Sequence, residues 1–376
     1  MTAENQHKIP SVYFWDLQTS FKAPFETRMR RLLKATGLAS NLENSDLVAL
    51  KLHFGERGCT SFIQPRYLEP IVSYLRKSGV KPFFTDSSTL YAGHRLDAVS
   101  HALLAARHGF DPNVLGAPVL IADGLRGEYQ LQVPGPGRHF SSCFLAALIL
   151  EADLVLNISH FTGHELSGFG GAIKNLAMGC ASRQGKMQQH CGLGPRLRPE
   201  KCQGCGLCLK ACAPGALGLN SEGKVSLQPE LCTGCGLCLQ ACEHKALSID
   251  WQQEPDLLLQ RMAEYATAVT QNLQRPALHL NFLMQISPEC DCAGYSRAPI
   301  CPDLGILASY DPVAIDQASL DLINKCPWPP SAAQEAHTGD QDRFQVLNPK
   351  VRGTDILEYT QNLGAGQREY NLIRIS

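Results

Sequence analysis

Short apolar runs rich in branched side chains recur along the first half of the chain. They are LVALKLHF at 47–54, KPFFTD at 81–86, PVLIAD at 118–123 and DLVLNISHF at 153–161. Apolar runs of this length without a regular polar alternation are typical of strands that are buried on both faces. The pattern therefore predicts four buried strands.

Segments with helical periodicity lie between these runs and after them. The predicted helices are 65–79, with Pro65 at a plausible first helical position, 98–109, 141–152, 255–273 and 312–326, and further strands are predicted at 277–286 and 304–309. This alternation predicts an α/β fold with one or more mainly parallel sheets flanked by helices. Such sheets bind ligands beyond the carboxyl ends of their strands, so we look for chemistry in the loops there.

The bulk composition is that of a folded protein with a balanced surface. The 376 residues are 44% hydrophobic and 18% charged, which is ordinary for globular domains. With 34 Lys and Arg against 35 Asp and Glu, no basic excess is present to hold a phosphate backbone, so nucleic acid is not an expected partner. The first residues show no signal-peptide pattern, and no apolar run reaches the roughly 18 residues of a membrane helix. We therefore expect a cytoplasmic protein with no membrane span.

Sixteen cysteines change this picture, because a reducing cytosol favours metal binding or catalysis over disulfides. Eight of them form an internal repeat, in which KCQGCGLCLKACAPGAL at 201–217 and LCTGCGLCLQACEHKAL at 231–247 both contain C-x2-C-x2-C-x3-C. Closely spaced thiolates separated by glycines suit the binding of a [4Fe-4S] cluster. The repeat predicts two such clusters and therefore one-electron chemistry.

The expected ligand sets follow from two-cluster ferredoxins, in which the fourth cysteine of each run ligates the other cluster. One predicted set is Cys202, Cys205, Cys208 and Cys242, and the other is Cys232, Cys235, Cys238 and Cys212. A pair of zinc sites is the alternative, since C-x2-C pairs also bind zinc. Zinc takes four ligands at a time, however, and does not require eight in this duplicated order.

The repeat divides the chain into three parts. We predict the first part of an α/β body at residues 1–197, a bacterial ferredoxin-like insert at 198–250 and the second part of the body at 251–376. A bridge between two separate lobes is the alternative role of the middle part.

The loop after the first predicted strand is the first candidate for chemistry. KLHFGERG places Lys51, His53 and Glu56 where a crevice at a strand end would expose them. A lone histidine is usually a packed or surface residue, but its polar neighbours make His53 a candidate catalytic residue.

The stretch SHFTGHELSGFGGAIKNLAMGCASRQGKMQQHC at 159–191 is the second candidate, and it also follows a strand. Its candidate catalytic residues are His160, His164, Lys174 and His190. Within it, GFGGAIKNL could turn from loop to helix with free N–H groups facing an anion, and Lys174 could add a charge or a covalent anchor. A glycine-rich turn beside a solvated lysine is the alternative. The functional interpretation predicts a small anionic substrate or an anionic cofactor.

A third candidate is PECDCAGYSRAPICPD at 288–303, which follows a predicted strand. Cys290 and Cys292 would point to opposite faces of an extended chain, whereas a tight turn would bring them together on an additional metal ion. Reactive thiols or reduced structural cysteines are the alternatives.

Several of these motifs together resemble one family. KLHFGE, SHFTGHELSGFGGAIKNLAMGC, the twin cysteine runs, PECDC and LGILASYDPVAIDQASLDLIN look like the iron-sulfur centre proteins built on domain of unknown function 362. The resemblance spans nearly the whole chain. It implies the ferredoxin clusters and a cytoplasmic setting, but no particular reaction.

A fainter likeness is to lactate-racemase-type nickel-pincer enzymes, in which a glycine-preceded lysine holds the cofactor between histidines with acid/base and metal roles. His164, Lys174 and His190 have a similar order and spacing. Here two residues separate Gly171 from Lys174, and those enzymes lack ferredoxin inserts. The likeness therefore implies shared architecture.

Two functions remain as expectations. In the first, the clusters relay electrons from a ferredoxin or reductase to a substrate or metal site in the α/β body, which makes the protein a reductase-type oxidoreductase. In the second, the protein is a non-catalytic electron carrier or metallocentre-assembly factor that docks on a partner redox enzyme. A third expectation is that clusters only staple the fold.

Overall fold

The computed structural model describes residues 9–91, 93–192, 194–249, 254–328 and 342–376. Its strands are β1 Ser11–Trp15, β2 Leu47–Lys51, β3 Lys81–Asp86, β4 Val119–Ile121, β5 Gln130–Pro134, β6 Ser142–Ala146, β7 Leu154–His160, β8 Thr162–His164, β9 Gly168–Gly170, β10 Arg196–Leu197, β11 Leu217–Leu219, β12 Val225–Leu227, β13 Leu247–Ser248, β14 Leu278–Leu283, β15 Gly305–Ser309 and β16 Asn371–Arg374.

The α-helices connect and cover these strands. They are α1 Phe25–Ala35, α2 Glu69–Lys77, α3 Ala98–Arg107, α4 Pro112–Leu115, α5 Ala147–Glu151, α6 Ala172–Ala177, α7 Arg183–Cys191, α8 Leu207–Ala211, α9 Leu237–Ala241, α10 Pro255–Asn272, α11 Pro312–Asn324, α12 Arg343–Leu347 and α13 Asp355–Asn362.

Eight strands form one sheet in the order β16-β1-β15-β14-β7-β2-β3-β4. The five strands from β14 to β4 pair in parallel, and β15 runs antiparallel to both of its neighbours. β16 pairs in parallel with β1. The predicted α/β class with a mainly parallel sheet is therefore confirmed.

The strands are apolar because both faces of the sheet are covered. In β2, Val48 and Leu50 lie in the core that α1 and α2 cover, whereas Ala49 lies in the core that contains residues of α6, α10 and α11. Successive side chains of a strand point to opposite faces, so a strand between two helical layers has no solvent face. This explains the unbroken apolar runs of the sequence.

One predicted helix is largely wrong. Residues 142–146 of the predicted helix 141–152 form β6, which pairs antiparallel with β5, and only 147–151 are helical as α5. Cys143 and Leu145 are buried in alternation along β6. The hairpin partner supplies the backbone hydrogen bonds, so tertiary pairing overrides the helical preference of the segment.

The chain reverses its direction of travel across the sheet between β2 and β7. From β2 it proceeds outward to β3 and β4, and β7 then pairs on the opposite side of β2. A crevice forms at such a switch point beyond the carboxyl ends of the two strands. The loops after β2 and β7, which carry the predicted residues, therefore begin side by side.

The cysteine repeat has a small core of its own. Cys202, Leu217, Val225 and Leu247 belong to a cluster separate from the cores of the sheet. The strands β10 and β13 pair antiparallel at the two ends of the segment. The predicted boundary at residues 250 and 251 lies outside the described residues.

Candidate functional site

A cavity of about 910 Å³ opens beyond the carboxyl ends of β2, β3 and β7. The candidate catalytic and metal-binding residues outside the cysteine repeat all line it, namely His53, His160, His164, Lys174, His190, Cys290 and Cys292. Their catalytic and metal-binding roles stay predictions. The structure brings them together from loops and helices that lie far apart in the sequence. Lys51 also lines the cavity, whereas Glu56, expected in the same crevice, does not.

A buried ion pair forms one wall of this cavity. Lys51 ends β2 and Asp86 ends β3, and Lys51 Nζ lies 2.9 Å from Asp86 Oδ1. Lys51 Nζ also donates to Asn175 Oδ1 at 2.6 Å. Burial alone would raise the pKa of Asp86, but Lys51, with smaller contributions from His101, His53 and Lys186, holds this pKa well below its usual range. Asp86 is therefore a carboxylate at neutral pH, paired with a lysine that is only 1% exposed.

Arg95 connects two loops beside the ion pair. Its Nε donates to Glu56 Oε2 at 3.0 Å, and a terminal nitrogen lies 2.6 Å from His53 Nε2. His53 Nδ1 faces the N–H of Gly55 at 2.9 Å. Burial, and then Arg95, hold the pKa of His53 well below its usual range, so the ring is neutral. Because a neutral imidazole accepts at one nitrogen only, these two contacts compete.

His160 holds the cysteine loop through Asp291. Its Nδ1 lies 2.8 Å from Asp291 Oδ1, and its Nε2 lies 2.6 Å from the carbonyl oxygen of Met284. Both partners are acceptors, which assigns a proton to each ring nitrogen. Burial lowers the pKa of His160, but Asp291, the Met284 carbonyl and Cys290 together raise it, and the net shift is upward. With both nitrogens engaged, His160 is placed to position the loop.

Cys290 and Cys292 lie in a tight turn, which is one of the two arrangements expected from the sequence. The Ala293 N–H donates to the Cys290 carbonyl at 2.9 Å and closes a four-residue turn. The Cys292 N–H donates to Cys290 Sγ at 3.3 Å, and Lys174 Nζ donates to the same sulfur at 3.1 Å. Both thiols therefore face one ammonium group in the cavity.

These contacts favour the thiolate form of Cys290. The Cys292 thiol lowers the pKa of Cys290 most, burial opposes this effect, and Lys174 lowers the pKa further, to about 5. The pKa of Cys292 is raised well above its usual range by Cys290 and by burial. Burial alone would lower the pKa of Lys174, but the two cysteines raise it. At neutral pH the site thus holds a thiolate, a thiol and an ammonium.

His164 completes a group that could hold a metal ion. Ligand atoms of His164, Cys290 and Cys292 all lie within 4.8 Å of one another. One nitrogen and two sulfurs suit zinc or a softer divalent metal. The Nδ1 atom of His164 accepts the N–H groups of Leu166 and Ser167 at 3.2 and 3.1 Å. Burial, and then Lys174, hold the pKa of His164 well below its usual range.

The helix α7 contributes two further bases to the cavity, Lys186 and His190, which lie one helical turn apart. Burial, and then Lys174, lower the pKa of His190 to about 4. Lys186 Nζ donates to Ser87 Oγ at 2.5 Å and to the carbonyl of Ala181 at 2.8 Å. Burial lowers the pKa of Lys186 to about 8. Both groups therefore lose their protons more easily than usual.

Two glycines let the loops approach each other. A Cβ atom on Gly163 would lie 2.1 Å from the carbonyl oxygen of Pro288, so the β8–β9 hairpin and the cysteine loop touch through their backbones. A Cβ atom on Gly170 would lie 3.0 Å from Lys174 Cδ. The glycine-rich stretch thus determines where His164 and Lys174 lie.

The predicted anion site at the start of α6 is wrong. The N–H groups of Ala172 and Ile173 donate to the two carboxylate oxygens of Asp316, at 2.7 and 2.9 Å. Asn281 donates to the same carboxylate at 2.7 Å. The amides are not free because α11 supplies a buried acceptor. An anion in the cavity would instead meet the side chain of Lys174.

Sequence reasoning missed three residues of the cavity wall. Asp86 ends a predicted strand, so its position at a carboxyl end was the available signal. Arg95 lies in an irregular loop, and Ser159 stands beside the more conspicuous candidate His160. The sequence therefore offers no signal for either residue. Ser159 is 4% exposed, and among the described residues its Oγ has no hydrogen-bond partner. Within the described part of the chain, its hydroxyl is therefore a buried polar group without a partner in the wall of the cavity.

The cysteine repeat folds into two matching halves. Gly204 and Gly234 take equivalent places with φ of 67° and 69°, a conformation that favours glycine. The N–H of Val225 donates to Cys202 Sγ at 3.3 Å, and the N–H of Ala246 donates to Cys242 Sγ at 3.2 Å. Backbone amides therefore approach the sulfurs, as the glycines of the motif predict.

The fourth cysteine of each run lies near the other run, Cys212 with Cys232, Cys235 and Cys238, and Cys242 with Cys202 and Cys208. Burial raises the pKa of Cys208, and Cys242 and Cys202 add to this shift. Burial raises the pKa of Cys238 to about 12, with further contributions from Cys235, Cys232 and Cys212. A second, small cavity is lined by the four thiols Cys212, Cys232, Cys235 and Cys238.

The helix α7 separates this small cavity from the large one. Its Met187 lines the small cavity, whereas Lys186 and His190 line the large one. Met187 packs with Leu90, which also lines the large cavity. A Cβ atom on Gly236, beside Cys235, would lie 3.3 Å from Leu90 Cδ2. One layer of side chains thus lies between the two sites.

Fold and site together define an α/β protein with a cavity of thiols and histidines that could hold a metal. The model of the family described as "Domain of unknown function (DUF362)" matches residues 48–321, more than half of the chain. The chain belongs to the DUF362 family, which confirms the family part of the resemblance drawn from its motifs.

Comparisons with curated proteins and with solved structures give less information about this chain than the family match does. No curated protein matches the chain. The lactate racemase apoprotein from Thermoanaerobacterium thermosaccharolyticum is similar in structure, with 15% identity and a TM-score of 0.36 over 72% of this chain and 50% of that one. This chain thus spans half the length of that structure. Within the described part of the chain, no helix has the length and apolar character needed to cross a membrane.

Proposed function

We propose that this DUF362 protein is an iron-sulfur redox protein, in which two [4Fe-4S] clusters relay electrons to a substrate or metal in the large cavity. The observation that carries the proposal is the position of α7. Met187 borders the small cavity of four cysteines, and Lys186 and His190 border the large cavity. The proposed cluster site and the proposed substrate site therefore lie on either side of α7.

The sulfur positions of the repeat support clusters over zinc. Within the described residues, only His164, Cys290 and Cys292 have three ligand atoms mutually within 4.8 Å. The sulfurs of the repeat are spread more widely. Thiolates 2.3 Å from a tetrahedral zinc lie about 3.8 Å apart, so the wider spread favours a larger group. When bound, such clusters supply single electrons.

The exposure of the cysteines supports a direction for the relay. Cys205 is exposed, whereas Cys235 is partly buried in the set that faces α7. We infer that a ferredoxin or reductase docks near Cys205, and that the set containing Cys235 is the one next to the cavity.

The large cavity supplies charge and proton-transfer groups. Lys174 and Lys186 provide positive charge for a small anionic substrate. His164 and His190 are held neutral, and they accept a proton only when a nearby positive charge is removed or neutralised. The proposal therefore assigns binding to the lysines and proton transfer to these two histidines.

The first experiment is anaerobic purification of the full chain, followed by measurement of iron, sulfide, nickel and zinc and by EPR before and after dithionite. We expect about eight irons per chain and coupled signals after reduction. About two zincs without iron would overturn the proposal.

The alternative function, a non-catalytic carrier or assembly factor, is separated by a second measurement. Oxidation of reduced methyl viologen is followed in the presence of small anionic acceptors, in the natural protein and in Lys174→Met. For a reductase, the variant loses turnover while its cluster EPR is unchanged. Equal turnover in the two proteins would favour the carrier.

A further inference from the structure

We propose that Cys290 and Cys292 are a redox-active dithiol that reduces a small disulfide bound in the large cavity. This inference deepens the proposed function and rests on it only for the supply of electrons.

The two thiols are close enough to form a disulfide with little movement. Cys290 and Cys292 Sγ lie within 4.8 Å of each other, and the bond would need about 2.0 Å. The hydrogen bond from Ala293 N–H to Cys290 O closes a turn that keeps both thiols on one side. Rotation of the side chains is therefore the main change required.

The surroundings assign different parts to the two thiols. Cys290 Sγ receives hydrogen bonds from Lys174 Nζ at 3.1 Å and from the Cys292 N–H at 3.3 Å. Two donors, one of them a cation, stabilise a thiolate, which is the attacking form of cysteine. Cys290 is therefore the nucleophile, and Cys292 is the neighbour that resolves the mixed disulfide.

The contacts of the third member of the group favour thiol chemistry over a bound metal. The Nδ1 atom of His164 accepts two backbone N–H groups, from Leu166 and Ser167. A neutral ring with an accepting Nδ1 carries its proton on Nε2, so a metal ion would first have to displace either this proton or the two backbone N–H groups. Lys174 Nζ also donates to Cys290 Sγ, so a metal ion would have to compete with an ammonium group for this sulfur.

The cavity can admit a substrate of this class. Its volume of about 910 Å³ is in the range of small-molecule sites, and both cysteines line it. Lys174 and Lys186 line the same space and suit acidic groups on the disulfide.

The reaction balances in three steps. The Cys290 thiolate attacks one sulfur of the substrate, the substrate S–S bond breaks, a mixed disulfide forms and one thiolate leaves. The Cys292 sulfur then attacks Cys290, the internal disulfide forms, and the second half of the substrate leaves with the Cys292 proton. The internal disulfide finally takes up two electrons and one proton, which regenerates the Cys290 thiolate and the Cys292 thiol. The electrons come from a low-potential donor of the ferredoxin class.

The test uses the full, anaerobically purified chain and about one equivalent of dithiobis(nitrobenzoate), an anionic disulfide that releases a coloured thiolate. We expect two thiolates released per chain, fewer from the Cys290→Ser/Cys292→Ser background variant, and a peptide that carries an internal disulfide without attached probe. Cys292→Ser should release one thiolate and keep the probe on Cys290. Cys290→Ser should fall to background. Cys326→Ser, which lies outside the cavity, is the matched control and should release two.

Reduced methyl viologen is then added to the oxidised protein, and free thiols are counted by alkylation and mass spectrometry. We expect the natural protein to regain both thiols and Cys235→Ser to keep the disulfide. Retention of probe on both cysteines, or protection of both by a bound metal, would overturn the dithiol while leaving the relay standing. A disulfide that forms but is not reduced faster in the natural protein than in Cys235→Ser would overturn the relay instead.

Discussion

The cysteine repeat and the large cavity both gather thiols, but they are built from different lengths of chain. The repeat takes its eight cysteines from residues 202–242 and packs them around a small core of its own. In the cavity, Lys174 and Cys290 meet across 116 positions of sequence. Local spacing is enough to gather the first three cysteines of each run in the first region, whereas the second exists only because parallel strands end at one edge of a sheet.

The two regions also differ in charge. The large cavity keeps charged groups out of water in pairs, as Lys51 and Asp86 show. In the repeat, backbone N–H groups approach sulfurs such as Cys202 and Cys242. Changes in the cavity should therefore cost stability through unpaired charges, and changes in the repeat should act on the iron of the proposed clusters.

The largest effect should come from Cys235→Ser in the repeat. We expect iron to fall from about eight to about four per chain, because one ligand set is broken. The separate small core predicts that the sheet stays folded, which far-ultraviolet circular dichroism would show. Cys326→Ser, a partly buried cysteine outside the repeat, should keep its iron. Loss of the sheet together with the iron would mean that the two regions fold as one.

Breaking the ion pair in the cavity should lower the stability of the fold and leave the iron content unchanged. Lys51→Met leaves Asp86 buried without its closest cation, and we expect a loss of about 3–5 kcal/mol of unfolding free energy, measured by urea denaturation, with iron unchanged. The double variant Lys51→Met/Asp86→Asn leaves no unpaired carboxylate and should lose less. Equal losses in the single and double variants would contradict the role of the charge.

A smaller loss is expected where the loops of the cavity touch. Gly163→Ala would place a Cβ atom 2.1 Å from the Pro288 carbonyl oxygen, and the strain should cost about 1–3 kcal/mol in the same urea experiment. Gly218→Ala in the repeat is the control, since its Cβ atom would meet Ser226 Oγ at 3.4 Å, an ordinary contact. A cost as small as that of the control would show that the loops can separate freely.

The smallest effect concerns the pH response of one cavity lysine. Burial lowers the pKa of Lys186 to about 8, so its acetylation rate should level off above pH 8. A lysine in a short model peptide should level off only near pH 10. Because the neutral amine is the form that burial favours, Lys186 also contributes stability that grows as pH rises from about 8 towards 10.5. Peptide mass mapping across pH 7–10 measures the rate, and a plateau at the peptide value would show an unperturbed lysine.

The sequence by itself predicts most of the fold and part of the site. The run KPFFTD coincides with β3, and 312–326 contains α11, because both carry a strong local pattern. The residues His164, Lys174 and Cys290 were found because they follow predicted strands and belong to unusual motifs. The segment 142–146 was misread since its partner β5 is not visible in local periodicity.

Only the tertiary structure decides what these residues can do. It places Asp316 on the amides of α6, Lys174 on the sulfur of Cys290, and α7 between the repeat and the large cavity. None of these contacts follows from spacing along the chain, because each joins elements that meet only when the sheet has formed. Spacing along the chain is sufficient for the first three cysteines of each run, since residues a few positions apart are close in any compact turn, whereas pairing across the cavity depends on which strands are neighbours.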